Sequence, residues 1–432
     1  MDNGHGAHGI LRAITPSYKA IDADELDYPY LRQIMNSYDT PSFFKRRGFE
    51  LIPDSFDFRT PAKREYMRLA GLLSAAYHLQ QAWTAPEKLF WSAQFTKTSV
   101  QLFGRPLSGE TAKLAHDELR YFKAISAQFP KHEDFFEPVL EAYGSLCTSK
   151  TSSSKSIEIR YQALMNELHE IMTGRYQKVF HCFDAYAPHT SLNTDDLQRT
   201  FTAGLAVLCS DDGLWEGWRV VQDKSAKLCV DPRKRQIIIG KNRQAVPATE
   251  VRGLFAHEVL VHALRAKEGE RRSGALATGL PDYMAAEEGL GVLIESAVNG
   301  GIADKIKDRY IDIALALGGR FRRPLSRAEM FNFCFVRSVA RALARGFDID
   351  VDEVEAMTWE HVNRIYRGSL GNHYVGVFTK DVTYYKGFIK MANYLERQKA
   401  KGDLSSALDY VMRGKFDPTN AAHRQVVEKS IH

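Results

Sequence analysis

Apolar residues recur at helical spacing from about residue 61 to 146, with Tyr66, Leu69, Leu73, Ala76 and Tyr77 setting the phase, and this period predicts several amphipathic helices. Residues 1–60 mix Pro, Gly and aromatic residues with little period and read as an extension laid over a domain. The polar run Lys150-Thr151-Ser152-Ser153-Ser154-Lys155-Ser156 marks a loop or linker, and a helix from about Ile157 to Met172 follows it. Farther on the period shortens. Trp218 to Val221, Ala226 to Val230 and Gln236 to Ile239 are β-rich runs separated by turn residues such as Asp231-Pro232, which predicts a small antiparallel sheet. The pattern then turns helical again, with Val251, Leu254, Phe255, Val259, Val261 and Leu264 supplying apolar faces. Thr249 is the expected N-cap, and Arg265-Ala266-Lys267 put cations where a helix C-terminus favours them. Residues 304–365 also read as helix, and no internal repeat is present.

That helix carries the chain's most specific chemistry, His257-Glu258-Val259-Leu260-Val261-His262. Two imidazoles bracketing a carboxylate are the donor set of a zinc hydrolase, but the usual spacing places the histidines four apart, adjacent on one helical face. Here they are five apart. At about 100° per residue a regular helix would set the rings roughly 140° apart, too far round to share a metal. One wide turn, with hydrogen bonds from i to i+5, restores a common face, so the spacing predicts a π-bulge between His257 and His262. His132-Glu133 and His169-Glu170 lack a second histidine downstream and read as ordinary surface or cap residues.

A catalytic zinc takes three protein ligands and keeps a fourth position for water. After a loop with Gly274, Gly279 and Pro281, the segment Ala285-Ala286-Glu287-Glu288-Gly289-Leu290-Gly291 opens a second helix, and a carboxylate there can reach the metal. A His-Glu-x3-His helix followed by an (E/Q)-E-G-L turn resembles the zinc peptidase family of the microtubule-associated tyrosine carboxypeptidases and the bacterial QEGLA-motif proteins, the flavohemoglobin expression-modulating group. The family's R-x-x-R-G element reads Arg364-Ile365-Tyr366-Arg367-Gly368 here, and its F-(S/T)-K-D-x-x-Y segment reads Phe378-Thr379-Lys380-Asp381-Val382-Thr383-Tyr384. The final Ala of the bacterial motif is Gly291 in this chain, a small-for-small exchange.

The resemblance implies a mostly helical, zincin-like α+β metallopeptidase with a small antiparallel sheet before the zinc-binding helix. It implies one zinc ion per chain held by His257, His262 and Glu288, with Glu258 as general base and Tyr384 as donor to the oxyanion. Tyr385 and His373 are further oxyanion candidates on chemical grounds. A carboxypeptidase must also hold its substrate's free carboxylate, which a planar guanidinium does with two bonds, so Arg364, Arg367, Lys380 and His373 are candidates for substrate binding. Ile237 to Gly240 is the strand expected to pair with an extended substrate. The implied activity is removal of a C-terminal residue, Tyr or another aromatic, from an acidic peptide or protein tail. A non-catalytic binding protein on the same fold, and a zinc amide hydrolase of small peptide-like metabolites, are the alternatives.

Composition narrows the class. With 432 residues, 44 % hydrophobic and 11 % aromatic, the chain is globular, and the expected organisation is an extension at 1–60, a helical region at 61–150, a peptidase core at 151–395 and a helical tail at 396–432. Neither a secretory leader nor an apolar run of about 20 residues is present, so membrane insertion is not expected. Five scattered cysteines without a C-x-x-C pair read as reduced, mostly buried thiols of a cytoplasmic protein. Net charge is only +5, and basic clusters at Arg320, Arg322, Arg323, Arg337, Arg341 and Arg345 suit either an acidic polypeptide or a solvated helix face. No nucleic-acid fold signature accompanies them.

Overall fold

The computed structural model describes residues 7, 10–14, 61–147, 157–184, 191–211, 215–224, 228–241, 243–319, 323–346, 349–367, 369 and 376–430. The Ser-rich run and almost all of the expected N-terminal extension lie outside them. The chain is mostly helical with a small sheet component. It divides into two compact units, each discontinuous: residues 1–156 with 307–382, and residues 157–306 with 383–432. The break at 156 falls in the expected linker. Otherwise the division runs differently from the expected one: 307–382 leaves the peptidase core for the first unit, and the tail packs into the second.

Shared core explains why the first unit takes residues so distant in sequence. Helix Glu133–Leu146 buries Phe135, Phe136, Val139 and Tyr143 along one side, and Tyr143 meets Phe333 of helix Arg327–Arg345 edge-on at 5.3 Å. Helix Arg327–Arg345 starts at a capping box in which Ser326 and Glu329 satisfy each other's backbone N–H groups. Arg337 and Arg341 on it are not a basic surface. Arg337 is buried with its fork on Asp312 at 2.6 and 2.8 Å, and Arg341 bridges Asp308 and Glu118. His361 of helix Val351–Ile365 completes the cluster, with Nε2 at 2.5 Å from Asp312.

The second unit holds both sheets. β1 (Ser191–Leu192) pairs antiparallel with β5 (Val246–Pro247). β2 (Arg219–Asp223), β3 (Leu228–Asp231) and β4 (Gln236–Gly240) form a sheet in the order β2-β4-β3. β3 and β4 are antiparallel, as a hairpin must be, whereas β2 runs parallel to β4. Hairpin strand β3 lies on the far side of β4, leaving β4's other edge to β2. The centre position suits β4, whose Ile237 and Ile239 are fully buried. It also means that Ile237 to Ile239, the body of the expected Ile237 to Gly240 docking strand, has both edges occupied and cannot take an added strand; the sheet's edges belong to β2 and β3, and β3 packs against the histidine-bearing helix.

No disulfide joins the five cysteines, of which only Cys334 is buried and Cys209 is exposed. Among the described residues no helix is long and apolar enough to cross a membrane.

Candidate metal centre

The helix expected from residue 250 forms in three pieces. A 3-10 turn, Ala248–Glu250, leads into α-helix Val251–Phe255, then a π segment Ala256–Ala263, then α-helix Leu264–Glu270. Thr249 therefore lies inside the leading turn and is not the cap. The π segment spans the whole His257 to His262 interval, as the five-residue spacing requires. It brings the imidazole centroids to 4.8 Å with their planes at 75°.

Helix Met284–Asn299 supplies the carboxylates. Oε2 of Glu288 faces both rings, 3.5 Å from Nε2 of His262 and 3.8 Å from Nε2 of His257. The candidate donor atoms of His257, His262 and Glu288 all lie within 4.8 Å of one another. Each ring is turned by a further carboxylate on the same helix. The Nδ1–H of His257 donates to Glu295 at 2.8 Å, and that of His262 donates to Glu287 at 2.8 Å. An ionised carboxylate only accepts, so Nδ1 carries a proton, and in the neutral ring this leaves the Nε2 lone pair toward Glu288. This is how metal-binding imidazoles are held.

A cation fits this donor set. Burial pushes both imidazoles toward the neutral form, yet neighbouring carboxylates overcome it, so that His257 is held well above its ordinary pKa by Glu288 and Glu295 and His262 is raised by Glu287 and Glu288. Carboxylates on both sides of the rings, Glu287 and Glu295 at Nδ1 and Glu288 at Nε2, therefore surround the pair with negative charge that a divalent ion would offset. Burial raises Glu258 too, against the pull of His262 and His257, leaving a carboxylate of enhanced basicity within electrostatic reach of the site.

Glu287 is the anchor. Burial would raise its pKa, but Lys415 and Arg265 bring it down to about 2. Lys415 Nζ lies 3.3 Å from Oε1, while Arg265 grips Oε2 and donates to the carbonyl of Phe416 at 2.8 Å. Arg265 is fully buried and Lys267 nearly so, and the helix runs on to Glu270, so they do not form its end as expected. The partner at Lys415 comes from the chain's far end, tied to the loop before Glu287 by Leu276 and Leu280 backbone bonds.

Close packing accounts for the glycines of Glu287-Glu288-Gly289-Leu290-Gly291. A Cβ at Gly289 would stand 2.0 Å from the carbonyl carbon of Gly387, and one at Gly291 would stand 2.6 Å from Nε2 of His257. The exchange of Ala for Gly291 is thus more than small-for-small, because a methyl there needs the ring to shift.

Tyr384 lies in helix Val382–Lys399, one turn before Gly387, and is half-buried. Arg364, Arg367 and Lys380 belong to the first unit. The Arg364 fork is on Asp381, whose carboxyl that guanidinium holds far below its usual value against burial. Arg367 lies over the Phe378 ring at 5.0 Å, and Lys380 is half-buried in the turn Thr379–Asp381. His373 and Gly368 are outside the described residues. His132 precedes helix Glu133–Leu146, and His169 Nδ1 lies 3.0 Å from the Ala297 carbonyl, so neither joins a donor cluster. Arg265 and Lys415 carry no motif; their burial and their ion pairs with Glu287 identify them.

Residues 347–429 match the family of microtubule-associated tyrosine carboxypeptidases. The match bears out the resemblance drawn from the motifs. It covers Arg364, Arg367, Lys380, Tyr384 and Lys415 and begins beyond the histidine helix. No curated protein and no solved structure matches the chain.

Proposed function

We propose that this protein is a zinc-dependent carboxypeptidase that removes a C-terminal residue, Tyr or another aromatic, from an acidic peptide or protein tail. The observation that carries the reading is the convergence of His257, His262 and Glu288 across a π turn, with a carboxylate behind each ring. The family match supports the exopeptidase class, and the family's name supports a protein tail as substrate. Glu295 and Glu287 keep the two Nε2 lone pairs aimed inward, and Glu288 completes the ligand set. Zinc held by these three residues would supply an activated water and polarise the scissile carbonyl. Glu258 takes the proton of the attacking water on its carboxylate and returns it to the leaving amine, a role suited to a buried carboxyl whose pKa is raised. Tyr384 is the proposed donor to the developing oxyanion.

Metal analysis of the purified chain, beside hydrolysis of peptides with varied C-termini, tests the reading. One zinc per chain, lost with activity in His262→Ala, is expected. A metal-free wild-type protein that hydrolyses nothing would return the chain to the class of binding proteins.

A further inference from the structure

Cations near the histidine helix are mostly committed to carboxylates. Arg265 and Lys415 hold Glu287, and Lys305 lies against Glu250 at 3.2 Å and Glu295 at 3.8 Å. Arg243 is different. It follows β4, with its backbone N–H bonded to the Gly240 carbonyl at 3.1 Å. Its Nε is buried without a hydrogen-bond acceptor, and its guanidinium makes no ion pair among the described residues. Yet β4, which it follows, packs against the histidine-bearing helix. Burial pushes its pKa down, and the carboxylates of Glu258, Glu295 and Glu250 act against that shift.

A half-buried guanidinium whose Nε lacks an acceptor carries a desolvation cost, which a carboxylate ligand on its outer nitrogens would offset. A terminal carboxylate belongs to the residue next to the scissile bond, about 3.8 Å on between Cα atoms, so its receptor must stand close to the general base. We propose that Arg243 receives the substrate's C-terminal carboxylate through its planar fork, and so restricts cleavage to the last residue. The assignment rests on the carboxypeptidase reading above. It replaces Arg364, whose fork Asp381 already fills.

The test uses the full-length, zinc-loaded protein, an acidic pentapeptide ending in Tyr, and the same peptide as its C-terminal amide. In Arg243→Gln the KM for the free acid is expected to rise about 10- to 100-fold, the loss typical of a charge-assisted bond, while kcat and the KM of the amide change little. The acid-over-amide preference then disappears. Arg243→Lys recovers only part of it, because an ammonium keeps the charge without the fork. Retained preference in Arg243→Gln overturns the assignment, as does an equal loss for acid and amide, which marks a structural or oxyanion role.

Calorimetric binding of both peptides to Glu258→Gln, with and without Arg243→Gln, gives a readout that needs no turnover. Preference for the acid that depends on Arg243 supports the proposal even where the wild type cleaves neither peptide, an outcome that would sink the peptidase reading alone. Equal binding of acid and amide with Arg243 in place overturns it.

Discussion

Gly289 and Gly387 meet backbone to backbone: a Cβ on the first would lie 2.0 Å from the carbonyl carbon of the second, and one on Gly387 would lie 2.0 Å from the carbonyl oxygen of Ala285. The contact fixes helix Met284–Asn299, and with it Glu288, against the helix that carries Tyr384. Neither neighbour is a side chain that can swing away.

Gly289→Ala should therefore destabilise the protein, although alanine is intrinsically the better helix former by about 1 kcal/mol. Overpacking of this kind costs about 1–3 kcal/mol and forces the backbones apart. Thermal unfolding should show a lowered Tm for Gly289→Ala and for Gly387→Ala. A variant as stable as wild type would mean that the two helices are not held at this crossing.

The carboxylates behind the rings make a second prediction. Removing an outer partner of a metal-binding imidazole typically costs 10- to 100-fold in metal affinity. Glu295→Ala and Glu287→Ala should each weaken zinc by about that factor, measured by competition with a chelator, whereas Glu288→Ala should lose it more completely. Glu287→Ala should in addition lower stability, because Arg265 and Lys415 are left buried without their counter-ion. Full zinc affinity in Glu288→Ala would move the third ligand to another residue.

Much of this site was legible in the sequence because its logic is local. Five-residue spacing between His257 and His262 cannot work on a regular helix, and the π segment follows from that arithmetic alone. The Glu287-Glu288 pair was visible for the same reason, as a short motif. What stayed hidden depends on contacts between distant residues. Lys415 reaches Glu287 from the chain's end, and Arg265 looks like any helix-terminal cation until its burial is known. β4's central place depends on which strands pair, something hydrophobic alternation does not encode. Likewise, Arg337 and Arg341 read as a basic stripe because their partners, Asp312, Asp308 and Glu118, lie on other helices.

Glu258→Gln separates metal binding from catalysis. The amide is isosteric, ligates nothing in the donor cluster and cannot take a proton, so zinc content should stay at the wild-type level. Hydrolysis should fall by about 10²- to 10⁴-fold, the usual worth of a general base. Wild-type turnover in a zinc-replete Glu258→Gln would remove Glu258 from the mechanism.

Asp312 makes the last prediction, away from the metal centre and readable as stability against pH. It is fully buried, and although burial alone would raise its pKa, Arg337 and His361 bring it from 3.8 down to about 2. A folded-state pKa below the unfolded one means that the carboxylate contributes its full stabilisation above pH 3.8 and loses it as pH falls through 2. Asp312→Asn keeps the shape but takes from buried Arg337 the carboxylate its fork grips, leaving it Asp308 at 3.5 Å, at a cost of up to about 3–5 kcal/mol near neutrality. Denaturant titrations at descending pH should show the gap between wild type and variant wide at pH 6 and narrowing below pH 4, since only the wild type has a carboxylate here that its unfolded chain protonates first. A gap that stays constant to pH 2 would show that the Asp312 charge does not stabilise the fold.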